Sequence, residues 1–267
     1  MKKQRLDVLL VSRGLVESRS LAQRMVMAGQ VRVDGQVVFK PSTNVSPEAE
    51  ISLDQGSRFV SRGGEKLQAA LDAFDVHVKG KVCADVGAST GGFTDALLQA
   101  GAQKIYAIDV GKGILDWKLR NDPRVIVMEG VNARHVESLP EPVSLVTIDA
   151  SFISLKILLP VVKHWLPEGG GQVVALIKPQ FEVGRKIAAR GKGVVRDPQV
   201  HRAVLLDVLA AAQAEGFAVV EVIQSPLLGP KGNAEFLAHL EFGGENLPVR
   251  SEQELEALLP VQADEQE

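Results

Sequence analysis

The sequence predicts an α/β protein in which a doubly wound, mostly parallel sheet follows a small N-terminal α+β module. Three observations support this. Apolar strand-like runs alternate with helical patterns from residue 61 onwards, an apolar run enters a glycine-rich turn at residues 82–94, and basic residues are concentrated in the first forty positions. Alternating strands and helices are typical of parallel sheets whose faces are covered by helices.

The charge is unevenly distributed along the 267 residues, which are enough for one large and one small domain. Residues 1–40 carry eight Lys and Arg against three Asp and Glu, whereas residues 244–267 carry seven acids and one arginine. Because the distribution of charge matters more than the net charge of −3, the basic end is the candidate nucleic-acid surface. We expect a basic domain (1–56), a linker (57–62), a large domain (63–243) and an acidic C-terminal tail (244–267).

Composition excludes several kinds of site. Cys83 is the only cysteine, so neither an intramolecular disulfide nor a cysteine-rich zinc site can form, and no cluster of ligands indicates a metal. No apolar run approaches the length of a membrane span, and the N-terminus lacks the apolar core of a secretory signal. We therefore expect a cytoplasmic protein without a membrane partner.

The sequence of the N-terminal module predicts two helices followed by a β-hairpin. Amphipathic runs at 5–13 and 19–28 end at glycines, and strands at 31–33 and 36–38 flank an Asp-Gly pair typical of a type I′ turn. The run from Ser18 to Gly35 resembles the alpha-L RNA-binding motif of the S-four type. This resemblance implies phosphate contacts from Arg5, Arg19, Arg24 and Arg32, the alternative being that these are solvated surface charges.

In the larger domain we predict six strand-like runs, a final antiparallel strand and four helices. The strands are expected at 82–86, 104–109, 124–128, 143–149, 172–178 and 218–223, and the last run, 235–242, could close the sheet. The helices are expected near 64–74, 91–100, 153–165 and 198–215.

The glycine-rich turn is the sharpest local signal. Its spacing departs from the dinucleotide pattern, and Asp85 before the first glycine would repel a pyrophosphate. The turn resembles the first motif of S-adenosylmethionine methyltransferases, which implies a Rossmann-like methyltransferase sheet and cofactor contacts from Asp85, Gly87, Ser89, Gly91, Gly92 and Phe93. Asp109, ending the next strand, could accept hydrogen bonds from ribose hydroxyls or cap the following turn; Asn132 could contact adenine or be a turn residue.

Four further polar residues are each interpreted as bordering an apolar strand, where a doubly wound sheet exposes ligand-binding loops: Lys66, Asp149, Lys178 and Glu235. With their surrounding motifs, residues 1–242 resemble the TlyA family, which is related to FtsJ-type 2′-O-methyltransferases and their Lys-Asp-Lys-Glu tetrad. The resemblance implies methylation of a cytidine 2′-hydroxyl in large-subunit, or also small-subunit, ribosomal RNA, with ribosomal RNA or ribosomal subunits as partner and no obligate protein partner. Lys178 could act as a base or stabilise the oxyanion, and both roles remain open.

Two other features bear on the target. Asp149-Ala150-Ser151-Phe152 departs from the Asn/Asp-Pro-Pro-aromatic run of amino-group methyltransferases, which favours ribose O-methylation over base N-methylation. The basic, glycine-rich segment 184–196 is expected to contact RNA phosphates through Arg185, Lys186 and Arg190, and Arg62 in the connecting segment is a further RNA-binding candidate.

Two alternative functions remain. A non-catalytic ribosome-binding or assembly factor could retain the fold, but the intact set of lysines and acids argues against it. Members of the family are also labelled haemolysins; pore formation would require membrane-inserting segments, which the sequence does not show.

Overall fold

The computed structural model describes residues 3–53, 58–184, 193–244 and 247–260. The chain divides into two compact units, Met1–Arg58 and Phe59–Glu267. The division falls after Arg58, within the segment 57–62 that the sequence marks as a linker.

Within residues 3–53, the first unit contains two helices and five short strands. In chain order they are β1 (Gln4–Arg5), α1 (Leu6–Ser12), α2 (Arg19–Met27), β2 (Val31–Val33), β3 (Gln36–Val37), β4 (Asn44–Val45) and β5 (Ile51–Leu53). The predicted helix pair and hairpin are confirmed. The pairing of β1 with β4, and of β5 with β2, was not predicted, because strands of two or three residues have no recognisable periodicity.

Local signals explain the boundaries in this unit. The Ser18 hydroxyl accepts the backbone N–H of Leu21 and so begins α2, and Gly29 follows its end with a φ of +74°. Asp34 and Gly35 both have positive φ, as a type I′ turn requires. Leu6, Leu10 and Val26 are fully buried and join the two helices in one small core.

The second unit is built on a seven-stranded sheet. Its strands are β6 (Val82–Val86), β7 (Lys104–Asp109), β8 (Val125–Glu129), β9 (Leu145–Ile148), β10 (Gly171–Ile177), β11 (Ala218–Gln224) and β12 (Phe236–Phe242), in the spatial order β11-β12-β10-β9-β6-β7-β8. The pairs from β10 to β8 are parallel, whereas β12 is antiparallel to both its neighbours. The predicted antiparallel strand is therefore confirmed, but it lies inside the sheet and β11 forms the edge.

Helices connect these strands. They are α3 (Gly63–Ala73), α4 (Gly92–Gln99), α5 (Trp117–Arg120), α6 (Leu155–Val162), α7 (Pro179–Glu182), α8 (Pro198–Ala214) and α9 (Glu252–Ala257). The four predicted helices are confirmed within a few residues. Single-turn helices such as α5 and α7 are too short for an amphipathic pattern, and α9 begins at a capping box between Ser251 and Glu254 in the predicted acidic tail.

Apolar side chains fill both faces of the sheet. Along β7, Ile105 and Ala107 belong to one buried cluster, while Tyr106 and Ile108 belong to the other. This alternation is that of a strand covered on both sides. Because β6, β7, β9 and β10 are parallel, the loops that follow them emerge at one edge of the sheet, where ligands of such folds bind.

Within the described residues, no helix is both long enough and apolar enough to span a bilayer.

Candidate active site

The four predicted catalytic residues lie around one cavity of about 790 Å³. Asp149 and Lys178 directly follow β9 and β10, Glu235 directly precedes the antiparallel β12, and Lys66 lies in the first turn of α3. Both lysines and Glu235 are buried. Strands and a helix far apart in the chain thus bring these side chains together.

Two ion pairs organise the cavity. Lys66 Nζ contacts Glu235 Oε2, and Lys178 Nζ lies 2.6 Å from Asp149 Oδ1. Lys178 also donates to Ser151 Oγ at 3.1 Å. Removing one partner from a buried pair would leave the other charge without compensation, so the two members of each pair depend on one another.

The Asp149 carboxyl is electrostatically unusual. Burial raises its pKa above the ordinary value, and the positive charge of Lys178 opposes this rise. Lys178 therefore counteracts the effect of burial on the protonation of the Asp149 carboxyl. The pair places a proton donor and an acceptor side by side at the cavity wall.

Close backbone approaches position Lys66. A Cβ atom at Gly92 would lie 2.8 Å from the backbone N of Gly64 and 3.0 Å from Cα of Gly63. Glycine at these positions lets the start of α3 pack against the start of α4. Lys66 is thereby held next to the glycine-rich turn.

Glu235 is confined in a similar way. A Cβ atom at Gly229 would overlap the Glu235 carboxylate, so a side chain there would displace that carboxylate. Gln180 donates to Glu235 Oε1 at 3.3 Å, and the backbone carbonyl of Glu235 accepts the N–H of Ser225. The carboxylate is therefore fixed from two sides.

The glycine-rich turn forms another part of the wall. Gly87 has a φ of +85°, and a Cβ atom there would lie 2.7 Å from the carbonyl oxygen of Asp149. Gly87, Ser89, Gly92 and Phe93 line the cavity. The absence of side chains at the glycines keeps backbone exposed to a ligand.

A second cavity, of about 260 Å³, adjoins this turn. Gly87 and Ser89 line both cavities, and the second is completed by Asp109, Ile114, Asn132 and apolar neighbours. Asp109 accepts the N–H groups of Ser89 at 2.8 Å and of Gly111 at 2.7 Å, one on each carboxylate oxygen. Each oxygen retains a lone pair for a ligand, so turn capping and ligand binding are compatible.

Asn132 lines the second cavity and also caps a short turn. Its Oδ1 accepts the N–H of Arg134 at 3.2 Å, at the start of the 3₁₀ turn Ala133–His135. The side-chain amide N–H groups remain as donors to a ligand.

Asp85 and Gly91, two predicted cofactor contacts, line neither cavity. The fully buried Asp85 carboxylate accepts Thr94 Oγ1 at 2.6 Å and Thr147 Oγ1 at 3.2 Å, and burial raises its pKa to about 7. A Cβ atom at Gly91 would collide with Leu119. In the structure both residues therefore support the turn through contacts with Thr94, Thr147 and Leu119.

Several cavity residues were not predicted from the sequence: Ser61, Ser151, Phe152, Gln180, Phe181, Lys231 and Asn233. Phe152 stands out because it is 90% exposed, has a φ of +65° and lies with its ring 4.9 Å from that of Phe181. An exposed aromatic ring in a strained backbone conformation at a cavity mouth indicates a functional constraint. The aromatic residue after Asp149 was a signal for it in the sequence.

The predicted RNA-binding arginines and lysine fall into three groups. Arg5 and Arg19 both donate to the fully buried Asp7, whose pKa is held well below its usual range chiefly by Arg5. Arg24 and Arg32 are exposed in the first unit, and the exposed Arg62 lines the larger cavity. Arg185, Lys186 and Arg190 lie outside the described residues.

Comparisons with known proteins agree with both units. The FtsJ-like methyltransferase family matches residues 59–242, and the S4 domain matches residues 4–51. The chain is 47% identical over 251 residues to "Putative rRNA methyltransferase YqxC" of Bacillus subtilis, covering 91% of this chain and 88% of the relative.

Two further relatives are similar over most of their length. The 16S/23S rRNA (cytidine-2′-O)-methyltransferase TlyA of Mycobacterium tuberculosis is 46% identical over 243 residues, covering 90% of each chain. A solved structure, "Putative hemolysin from Streptococcus thermophilus", has 44% identity and a TM-score of 0.71, covering 97% of this chain and 94% of that one.

Proposed function

Because the chain belongs to the TlyA family of FtsJ-like methyltransferases, we propose that it methylates a cytidine 2′-hydroxyl of ribosomal RNA with S-adenosylmethionine as donor. The observation that carries the proposal is the meeting of the Lys66–Glu235 and Lys178–Asp149 pairs at one cavity beside the glycine-rich turn. Large-subunit RNA is the principal target and small-subunit RNA a further one.

The residues around the second cavity fit the cofactor. Asp109 offers carboxylate lone pairs to ribose hydroxyls, Asn132 offers an amide to adenine, and Ile114 offers apolar contact. Gly87 lines both cavities, and a Cβ atom there would lie too close to the backbone of Asp149. The bound cofactor supplies an electrophilic methyl group on a sulfonium, and the open turn leaves room for the methionine part.

The protein's own residues prepare the nucleophile. In the transfer, the ribose oxygen forms a bond to the methyl carbon, the sulfur–carbon bond breaks, and the hydroxyl proton leaves. Lys178 lies where it could take that proton, or stabilise the oxyanion while water takes it. Asp149 and Ser151 fix the direction of its ammonium, and Glu235 does the same for Lys66.

Phe152 is suited to hold the target base. Its exposed ring faces solvent at the cavity mouth, next to Phe181, and Lys178 Nζ lies 5.9 Å from the centroid of the Phe181 ring. A nucleotide whose ribose enters the cavity must be unstacked from its neighbours, and an aromatic ring compensates for the lost stacking. We assign the pair of rings to this purpose.

The first unit supplies sequence-independent affinity. Arg24 and Arg32 are exposed on α2 and β2, in a unit matched by the S4 domain. Their guanidinium groups would contact phosphates, with Arg5 and Arg19 held in place by Asp7. A ribosomal RNA substrate in turn implies a cytoplasmic protein.

Transfer of labelled methyl groups from S-adenosylmethionine to purified ribosomal subunits tests the proposal. The wild-type protein should label the RNA stoichiometrically at one or two sites, and Lys178→Ala should reduce the rate by about a hundredfold or more. Wild-type labelling at background level, with RNA binding intact, would favour the non-catalytic ribosome-binding factor instead.

A further inference from the structure

The carboxylate of Glu129, the last residue of β8, gathers an unusual number of donors. Its oxygens accept the backbone N–H groups of Gly113 at 2.8 Å, Ile114 at 3.0 Å and Leu115 at 3.1 Å. Arg120 Nη2 donates to it at 2.7 Å. The Glu129 side chain is only 13% exposed, and its bonds to Leu115 and Arg120 are partly buried, whereas those to Gly113 and Ile114 are exposed.

The three backbone donors belong to the loop 110–116, which contains neither helix nor strand between β7 and α5, whereas Arg120 lies in α5. A loop of this kind has no ladder of its own to satisfy its amides. The Glu129 carboxylate satisfies the three consecutive backbone N–H groups of residues 113–115. The backbone N–H of Asp116, which follows them, donates to the carbonyl of Thr90 at 3.1 Å. Glu129 therefore fixes the part of the loop from Gly113 to Leu115, whereas Gly111 is held by the Asp109 carboxylate and by the N–H of Gly130.

This loop forms part of the wall of the second cavity. Val110 and Ile114 line it beside Asp109. On its other side, Leu115 packs against the glycine-rich turn, since a Cβ atom at Gly91 would lie 2.9 Å from Leu115 Cδ1. Glu129 itself lines neither cavity. Any effect of Glu129 on a ligand would act through the loop.

We propose that Glu129 is a positioning residue that sets the affinity for the adenosine part of the cofactor by holding the loop 110–116 as a preformed cavity wall. The inference rests on the proposed function, because it takes the second cavity as the adenosine site. A wall that is already ordered costs no conformational entropy when the ligand binds. Without the carboxylate, the loop must be ordered when the ligand binds, and the entropy lost in that step weakens the affinity.

The charge state of Glu129 supports the arrangement. The Arg120 guanidinium first, and then the backbone N–H groups of the loop, lower the pKa of Glu129 to about 2. The carboxylate is therefore ionised throughout the neutral range. A glutamine at this position would direct its side-chain N–H groups, which are donors, toward the N–H donors of the loop and of Arg120.

Isothermal titration of the full chain with S-adenosylhomocysteine and with 5′-methylthioadenosine tests this. Glu129→Gln should raise the Kd of both ligands by a similar factor of about ten, because both contain the adenosine part. Glu129→Asp, which keeps the charge on a shorter side chain, should show an intermediate loss. At saturating cofactor the rate of methyl transfer should change less than about twofold, since none of residues 110–116 lines the larger cavity that holds the lysines.

Glu141→Gln is the matched control. Glu141 also accepts two side-chain donors, Lys104 and Tyr106, but it lines neither cavity, and Kd should be unchanged. Equal Kd values in wild type and both Glu129 variants would overturn the inference alone. A loss for S-adenosylhomocysteine without a loss for 5′-methylthioadenosine would also overturn it. A wild-type protein that binds neither ligand would overturn the cofactor assignment together with the inference.

Discussion

Lys178 Nζ lies 2.6 Å from Asp149 Oδ1, although the two residues belong to different strand ends and are separated by helix α6 in the chain. Asp149 follows β9 and Lys178 follows the neighbouring parallel strand β10, so the pair is a direct consequence of strand order. The two groups face the same cavity as the Lys66–Glu235 pair. The chemistry assigned to the protein depends on this relationship.

Replacing Asp149 by asparagine should reduce methyl transfer by about a hundredfold or more, because Lys178 would lose the anion that directs its ammonium. Cofactor affinity should change little. Single-turnover transfer with labelled donor, alongside cofactor titration, measures both quantities. Asp207→Asn removes a carboxylate that pairs with Lys156 on the surface and should have no effect. An Asp149→Asn enzyme with wild-type turnover would show that the pair has no catalytic part.

The buried Asp85 predicts a pH dependence of stability. Its pKa is about 7 in the folded chain against an ordinary value of 3.8, so between these limits the folded state binds more protons than the unfolded state. The free energy of unfolding contributed by this group therefore falls as pH rises from about 4 to 7, by a few kcal/mol at most.

Asp85→Asn removes this titration. Compared with the wild type, the variant should become relatively more stable as the pH is raised from 5 to 8, because it escapes the cost of burying an ionised carboxylate. Urea denaturation of both proteins at several pH values gives the difference directly. A stability difference that does not change with pH would mean that Asp85 does not titrate in this interval.

Phe152→Ala should weaken productive RNA binding while leaving cofactor affinity intact. Stacking of a base on an aromatic ring contributes about 1–3 kcal/mol, so kcat/KM for ribosomal RNA should fall roughly tenfold to a hundredfold. Ile157→Ala, which removes a half-exposed apolar side chain from α6, serves as the control. Unchanged kcat/KM in the Phe152 variant would remove the ring from the proposed base-binding surface.

Arg24→Ala and Arg32→Ala should each weaken RNA binding without changing which nucleotide is methylated. Each lost phosphate contact should reduce the slope of log K against log salt concentration by about one. Arg124→Ala removes a surface arginine that pairs with Asp122 in the second unit and should leave the slope unchanged. Fluorescence titration of a ribosomal RNA fragment at several salt concentrations provides the slopes, and equal slopes in all variants would contradict a role for the first unit.

Long, strongly patterned elements were predictable from the sequence. The strand Lys104–Asp109 was predicted with its observed ends, because a short apolar run that ends at a polar residue is typical of a buried strand. The antiparallel pairing of β12 was also anticipated, but its place between β10 and β11 was not. Spatial order depends on contacts between distant segments, which a single sequence does not display.

In the candidate site, too, individual residues were predictable from their local sequence, whereas their spatial arrangement was not. Lys66, Asp149, Lys178 and Glu235 could be chosen from their contexts, whereas their partition into two ion pairs follows from three-dimensional packing. Asp85 was expected to face a ligand; it faces Thr94 and Thr147, because the side chains of a strand alternate between its two sides. The role of Glu129 in ordering a loop had no signal in the sequence, since its partners are backbone amides.

Mass spectrometry of nucleosides from ribosomal RNA treated with the wild-type protein tests the proposed chemistry most directly. The two lysine–acid pairs around one cavity predict 2′-O-methylcytidine, with a strongly reduced yield when Lys178→Ala is used for the same time. Methyl groups found on a base instead of a ribose, or the same yield of 2′-O-methylcytidine from the variant, would show that these pairs do not activate a ribose hydroxyl.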